Sequence, residues 1–129
     1  MQDIAKSSPD FIVAAGDLAL RGPYPRETVE LLLDRCHSMV MGNTDCYVSG
    51  NYLGGGYRER ENWKTGLLMW TRDQLGSAYV EKLGQLPFSV RYSPRRGHDL
   101  YICHANPRNL EDALEPGPPD TSWSPDDES

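Results

Sequence analysis

Residues 11–23, FIVAAGDLALRGP, decide the fold, because in this stretch an apolar run ends abruptly at Gly16 and Asp17. A short apolar run that ends in glycine predicts a buried strand of a parallel sheet. In open α/β sheets, functional sites form beyond the carboxyl ends of the strands. Asp17 is therefore a candidate functional residue, although an aspartate after a strand can also be a turn former or a helix N-cap.

The same arrangement of apolar strand followed by polar residues occurs at two further places. Residues 37–45, HSMVMGNTD, run from an apolar stretch into Asn43 and Asp45. His104 directly follows residues 99–103, DLYIC, which are apolar after Asp99. Taken singly, Asn43 could belong to a turn and His104 could be a core histidine. Their shared position at strand ends favours a common site.

The remaining pattern predicts an α/β fold. Residues 24–36 carry Pro25 near a helix start, so strand, helix and strand form a βαβ unit with a right-handed crossover. Residues 58–84 read as two helices, and residues 87–107 read as a β-hairpin around RRGH. We expect a layered sheet/helix fold built from the βαβ unit, a helical insertion and the hairpin. Two shorter predictions are a helix end at residues 1–8 and a glycine-rich loop at 50–57.

Composition restricts the class of protein. The chain has 129 residues, 38% of them hydrophobic and 25% charged, which is typical of one globular domain. The three cysteines form no CxxC pair, and neither a signal peptide nor an apolar run of about 18 residues is present. We therefore expect a cytoplasmic protein without a membrane partner. The sequence carries no sign of oligomeric state.

The net charge of −6 is concentrated at one end of the chain. Residues 111–129 contain seven of the 19 acidic residues and none of the 13 basic ones. We interpret residues 1–110 as the domain and residues 111–129 as an acidic, proline-rich tail that is disordered. The domain itself is nearly neutral and has no basic stripe, so no nucleic-acid partner is indicated.

Three motifs in fixed order resemble those of the calcineurin-like metallophosphoesterases. They are GDLALRGPYPRE at 16–27, GNTD at 42–45 and CHANP at 103–107. The chain is most similar to the small bacterial and archaeal phosphodiesterase branch, and the resemblance covers most of residues 4–110. It implies a metal-dependent phosphodiesterase or phosphatase that hydrolyses a phosphorylated small molecule with water activated by two metal ions.

The resemblance also implies a role for each site residue. Asp17 would bridge two divalent metal ions, and Asn43 and His104 would bind one of them. Oxygen and imidazole donors suit Mn, which we expect here, with Fe, Ni and Zn as alternatives. Asp45 would not bind a metal ion itself; it would orient its loop or a group next to the metal ligands. Arg21 would contact the substrate phosphate, although an exposed surface arginine is the competing interpretation.

Two motifs of the family are missing from this sequence. No Asp-x-His precedes the first strand, and no Gly-His-x-His follows CHANP. His98 lies before CHANP in GHDL and is interpreted as structural or exposed. Thr44 occupies the place of a catalytic histidine found in many phosphomonoesterases. The resemblance therefore does not identify the general acid.

The simplest interpretation of these departures is a fragment of the family's domain, truncated at both ends and lacking both motifs. The isolated chain would then be inactive and would bind at most one metal ion weakly. The alternative is a catalytically inactive phosphoesterase-like module that serves phosphate binding or protein interaction.

Overall fold

The structure is a computed structural model that describes residues 1–50 and 62–112. The predicted glycine-rich loop at 50–57 lies almost wholly outside these ranges. Of the predicted tail at 111–129, only Glu111 and Asp112 are described, so its disorder stays a prediction.

The fold is mixed α/β, which confirms the predicted class. Its elements in chain order are α1 (Gln2–Lys6), β1 (Val13–Ala14), α2 (Pro25–Arg35), β2 (Ser38–Met39), α3 (Asn43–Ser49), α4 (Asn62–Leu75), α5 (Ser77–Gly84), β3 (Ser89–Arg95) and β4 (His98–Cys103). In the described part of the chain, no helix is both long and apolar enough to cross a membrane.

The first two strands form the predicted parallel pair. Val13 is the register partner of Ser38, and the His37 N–H donates to the Ile12 carbonyl at 2.8 Å. Because α2 connects two parallel strands, the βαβ unit is confirmed, while its hand stays a prediction. Each strand has only two residues and is partly rather than fully buried. Among the described residues, β1 pairs with β2 alone, which explains this partial exposure.

Helix α2 begins at Pro25, whose fixed φ suits the first helical position. Val29 is buried at 2% exposure, and Leu32 packs against the same core. Leu31 and Leu33, which are also apolar, are exposed. Consecutive helical residues point about 100° apart, so only those near one stripe can reach the core.

Helix α3 was not predicted, because Gly42 and Asn43 read as a turn. Gly42 is the N-cap, and its N–H donates to the Asp45 carboxylate at 2.9 Å. This contact is one half of a capping box. Gly50 ends the helix in a left-handed conformation, with φ +84°.

The main core lies between the helices and the loop that follows β1. Helices α4 and α5 confirm the two predicted helices and are separated by Gly76, with φ +77°. Trp70 lies in α4 but is 41% exposed and does not belong to this core. The buried apolar side chains of this core are Leu18, Ala19, Val29, Val48, Leu68, Leu75 and Leu83.

Strands β3 and β4 form the predicted antiparallel hairpin, and β4 delivers His104 to the end of β2. Ser89 is the register partner of Cys103, and a bulge interrupts the pairing towards Arg95. The hairpin is joined to the parallel pair where the Met41 N–H donates to the Pro87 carbonyl at 2.8 Å. His98 lies at the start of β4 and is exposed, as predicted.

Two leucine substitutions test which packing stabilises this fold. Leu75 is 1% exposed in the core, whereas Leu100 is 53% exposed on the hairpin. Leu75→Ala leaves a cavity, so we expect it to lower the free energy of unfolding by about 2–5 kcal/mol. Leu100→Ala should change it by less than about 1 kcal/mol. Urea denaturation measures both, and equal losses would contradict this account of the core.

Candidate metal site

The chain leaves β1 through two residues in the left-handed region. Gly16 has φ +88° and Asp17 has φ +57°. Glycine adopts this conformation freely, and aspartate tolerates it better than most residues. The reversal points the N–H groups of Asp17 and Leu18 away from any strand and towards Asp45.

The Asp45 carboxylate is fully buried and joins the two strand-end loops. Its Oδ2 accepts N–H hydrogen bonds from Asp17 and Gly42, and its Oδ1 accepts one from Leu18, each at 2.9 Å. Burial raises the pKa of Asp45, with a smaller contribution from the nearby Asp17 charge, while the three backbone donors oppose the rise.

Two glycines let these loops touch. A Cβ at Gly42 would lie 2.3 Å from the Asp17 nitrogen, and a Cβ at Gly16 would lie 2.6 Å from His104 Nδ1. Neither approach is sterically allowed, so any side chain at these positions would push the loops apart. This explains why a glycine precedes both Asp17 and Asn43.

The Asp17 side chain meets the first turn of α3. Its Oδ1 accepts hydrogen bonds from the Thr44 hydroxyl at 2.8 Å and from the Thr44 N–H at 3.2 Å. This contact of Thr44 was not predicted, because Thr44 was singled out only as the place of an absent histidine. The contact depends on the helix at residues 43–49, which the sequence pattern did not predict. The Asp17 side chain is 44% exposed, so one side of the carboxylate faces solvent.

His104 is held in one tautomer by the backbone. Its Nδ1 lies 2.8 Å from the Ala15 carbonyl oxygen, which can only accept, so Nδ1 carries the proton. In the neutral ring Nε2 is then an acceptor. It lies 3.2 Å from Asn43 Oδ1 and 3.4 Å from Asp17 Oδ1.

The Asn43 amide presents its oxygen to His104. Its Nδ2 donates to Glu111 Oε2 at 3.2 Å and to the Tyr47 hydroxyl at 3.4 Å. Tyr47 also hydrogen-bonds to Glu111. Neither partner of Asn43 was predicted, since Glu111 was assigned to the acidic tail.

Three acceptor atoms therefore converge at the end of the parallel pair: one carboxylate oxygen, one amide oxygen and one imidazole nitrogen. When His104 is neutral, no hydrogen atom lies between these acceptors, so they repel one another. Either a second proton on His104 or a shared cation would relieve that repulsion. Ligand bonds to Zn²⁺ are about 2.0–2.2 Å, so donors that share one such ion lie about 3 Å apart. The observed separations of 3.2 and 3.4 Å fit one divalent ion.

The described residues offer few side chains that could bind metal ions at this cluster. Within residues 1–50 and 62–112, no group of three His, Cys, Asp or Glu side chains is placed to hold a metal ion. The third donor of this cluster is thus the Asn43 amide. For a second ion, the cluster offers only Asp17.

Arg21 is not brought into this cluster by any described contact. It is exposed and has φ +71°. Among the described residues, neither a hydrogen bond nor an ion pair holds its guanidinium. The structure thus brings Asp17, Asn43 and His104 together, with Asp45 beneath them and Arg21 in the loop beyond.

Comparison with known proteins gives a family match and a similar solved structure. A family model described as calcineurin-like phosphoesterase matches residues 1–126. The crystal structure of a metallophosphoesterase from Sphaerobacter thermophilus is similar, with a TM-score of 0.64 and 24% sequence identity. The match covers 86% of this chain and 43% of that one, and at this identity it shows the fold alone. A search of curated proteins finds no match.

Replacing the buried carboxylate tests the link between the loops. Asp45→Asn leaves one oxygen for three N–H donors, so we expect a loss of about 2–4 kcal/mol in the free energy of unfolding. Asp34→Asn is the matched control, because Asp34 is 72% exposed beside Arg35 and its loss should cost less than about 1 kcal/mol. Urea denaturation measures the free energy of unfolding of both variants. An unchanged stability of Asp45→Asn would contradict the proposed link between the loops.

Proposed function

The chain belongs to the calcineurin-like phosphoesterase family, and we propose that its protein hydrolyses a phosphoester with two divalent metal ions. The observation that carries the proposal is the convergence of Asp17, Asn43 and His104: Asn43 Oδ1 lies 3.2 Å and Asp17 Oδ1 lies 3.4 Å from His104 Nε2. The chain spans 43% of the similar solved structure, so the activity is proposed for the whole protein.

The proposed ligands of one ion are Asp17, Asn43 and His104. Their oxygen and imidazole donors suit Mn, our proposed metal, and also Fe, Zn and Ni. Asp17 would bridge to the second ion. The chemistry that such a pair supplies when bound is activation of water and neutralisation of phosphoryl charge.

The residues of this chain hold the donors in place before any ion binds. Ala15 fixes the His104 tautomer, so the Nε2 lone pair faces the cluster. Thr44 donates two hydrogen bonds to Asp17 Oδ1 and restricts its rotation. Asp45 fixes the loops that carry Asp17 and Asn43. A preorganised donor set loses less conformational entropy on binding.

The proposed substrate is a phosphorylated small molecule. The exposure of Asp17 leaves the cluster open to solvent on one side. Arg21 follows Asp17 by four residues in the same loop, and its guanidinium could contact phosphate oxygens in bidentate fashion. Its left-handed backbone supports a functional role, because such strain concentrates at sites.

Activity measurements on the full-length protein test the proposal. With Mn supplied, the wild type should hydrolyse an aryl phosphodiester, EDTA should abolish the reaction, and added Mn should restore it. Asp17→Asn removes the proposed bridging carboxylate and should remove nearly all activity. Asp34→Asn makes the same chemical change at an exposed position and should keep the wild-type rate.

Unchanged activity in Asp17→Asn would overturn the ligand assignment. A wild-type protein that binds phosphate without hydrolysing any phosphoester would instead favour a non-catalytic module.

A further inference from the structure

We propose that Glu111, together with Tyr47, sets the orientation of the Asn43 amide, so that an oxygen and not an NH₂ group faces the metal site. The inference rests on the proposed function, because it concerns a ligand of the proposed metal. Both residues act through Asn43 and are therefore positioning residues.

The orientation of this amide needs to be set by hydrogen bonds. The oxygen and the NH₂ group of asparagine are almost equal in size, so shape alone barely distinguishes the two orientations. Only the oxygen can bind a cation. In the absence of metal, the acceptor His104 Nε2, 3.2 Å from the Asn43 amide, would attract the Asn43 NH₂ group. Something on the other side must therefore hold that NH₂ group away.

Glu111 and Tyr47 supply that hold. The Glu111 carboxylate can only accept, and its Oε2 lies 3.2 Å from Asn43 Nδ2. The Tyr47 hydroxyl directs its proton to Glu111 Oε1, so its oxygen accepts from Asn43 Nδ2 at 3.4 Å. Two acceptors on the same side thus favour the orientation in which Asn43 Oδ1 faces His104.

Glu111 is exposed but its position is defined by the loop after β4. The Asn106 side chain, 7% exposed, accepts N–H hydrogen bonds from Arg108 at 2.7 Å and from Asn109 at 3.0 Å. The Asn109 side chain in turn accepts from the Glu111 N–H at 2.9 Å. Leu110 is buried in a second apolar cluster with Met41 and Cys46. The backbone of the loop therefore carries Glu111 to Asn43 across 68 residues of sequence.

Two other roles of Glu111 would also affect metal binding. A carboxylate raises cation affinity through its charge alone, or it can bind the ion itself. Both roles are independent of the chemical identity of residue 43. Orientation of an amide matters only while residue 43 is asparagine, and this difference is the basis of the test.

The test measures Mn²⁺ affinity of the full-length protein by calorimetry in a two-by-two set of variants. In the wild-type background, Glu111→Ala should weaken binding about tenfold, the usual scale for a group that orients a ligand. In the Asn43→Asp background both terminal atoms are oxygens, so Glu111→Ala should leave the affinity unchanged or raise it by removing charge repulsion.

Glu81→Ala is the matched control. Glu81 lies on α5, is exposed and accepts a hydrogen bond from the Gln85 side-chain amide at 3.3 Å. Its removal deletes the same charge and a similar contact away from the cluster, so the Mn²⁺ affinity should not change. An equal loss on Glu111→Ala in both backgrounds would overturn the inference. No Mn²⁺ binding by the wild type would instead overturn the proposed function.

A second measurement needs no metal. The side-chain amide resonance of Asn43 can be assigned in a ¹H–¹⁵N spectrum by its loss in Asn43→Asp. Glu111→Ala should shift that resonance, because its hydrogen bond to the carboxylate is removed, while Glu81→Ala should leave it in place. An unmoved Asn43 resonance would overturn the inference whatever the metal titrations show.

Discussion

The buried carboxylate of Asp45 is the interaction on which the rest of the structure depends. A carboxylate taken out of water is strongly unfavourable unless hydrogen bonds replace its hydration. Here the replacements are backbone N–H groups from two different loops, one after β1 and one after β2. The charge is satisfied only when the loops are joined. Since Asp45 also belongs to the first turn of α3, the same contact places Asn43 and Thr44 beside Asp17.

The site separates two kinds of polar contact. On the inner side, backbone groups and the Thr44 hydroxyl hold each functional side chain in one orientation. On the outer side, the acceptor atoms of Asp17, Asn43 and His104 face one another. Glycines 16 and 42 make the arrangement sterically possible, because they let three loops meet without an intervening Cβ. Backbone hydrogen bonds therefore position these side chains, and their remaining acceptor atoms are available to the proposed metal ion.

The parts of this structure that could be predicted from sequence follow from local rules. Apolar runs ending in glycine predicted the parallel strands, and Pro25 predicted the start of α2. The closeness of Asp17 and Asn43 was predictable, because parallel strands end at the same edge of a sheet. What sequence could not show depends on distant contacts. Helix α3 is capped by its own Asp45. In the sequence alone Asp45 resembles an ordinary turn residue, because its role depends on the contact between the two loops. Glu111 counts as part of an acidic tail until the side-chain hydrogen bonds of the loop after β4 are known.

The order of these contacts along the chain has a consequence for synthesis. Asn43 and His104 are 61 residues apart, and His104 and Ala15 are 89 residues apart. At about 5–20 residues per second, a ribosome needs roughly 3–12 s to extend the chain from Asn43 to His104. During that interval the emerging polypeptide carries Asp17 and Asn43 but not His104, and the Asp45 carboxylate can already join the first two loops. On the proposed ligand assignment, the metal ion would bind only after the later part of the chain has been made and folded, which would tie metal loading to completion of the fold.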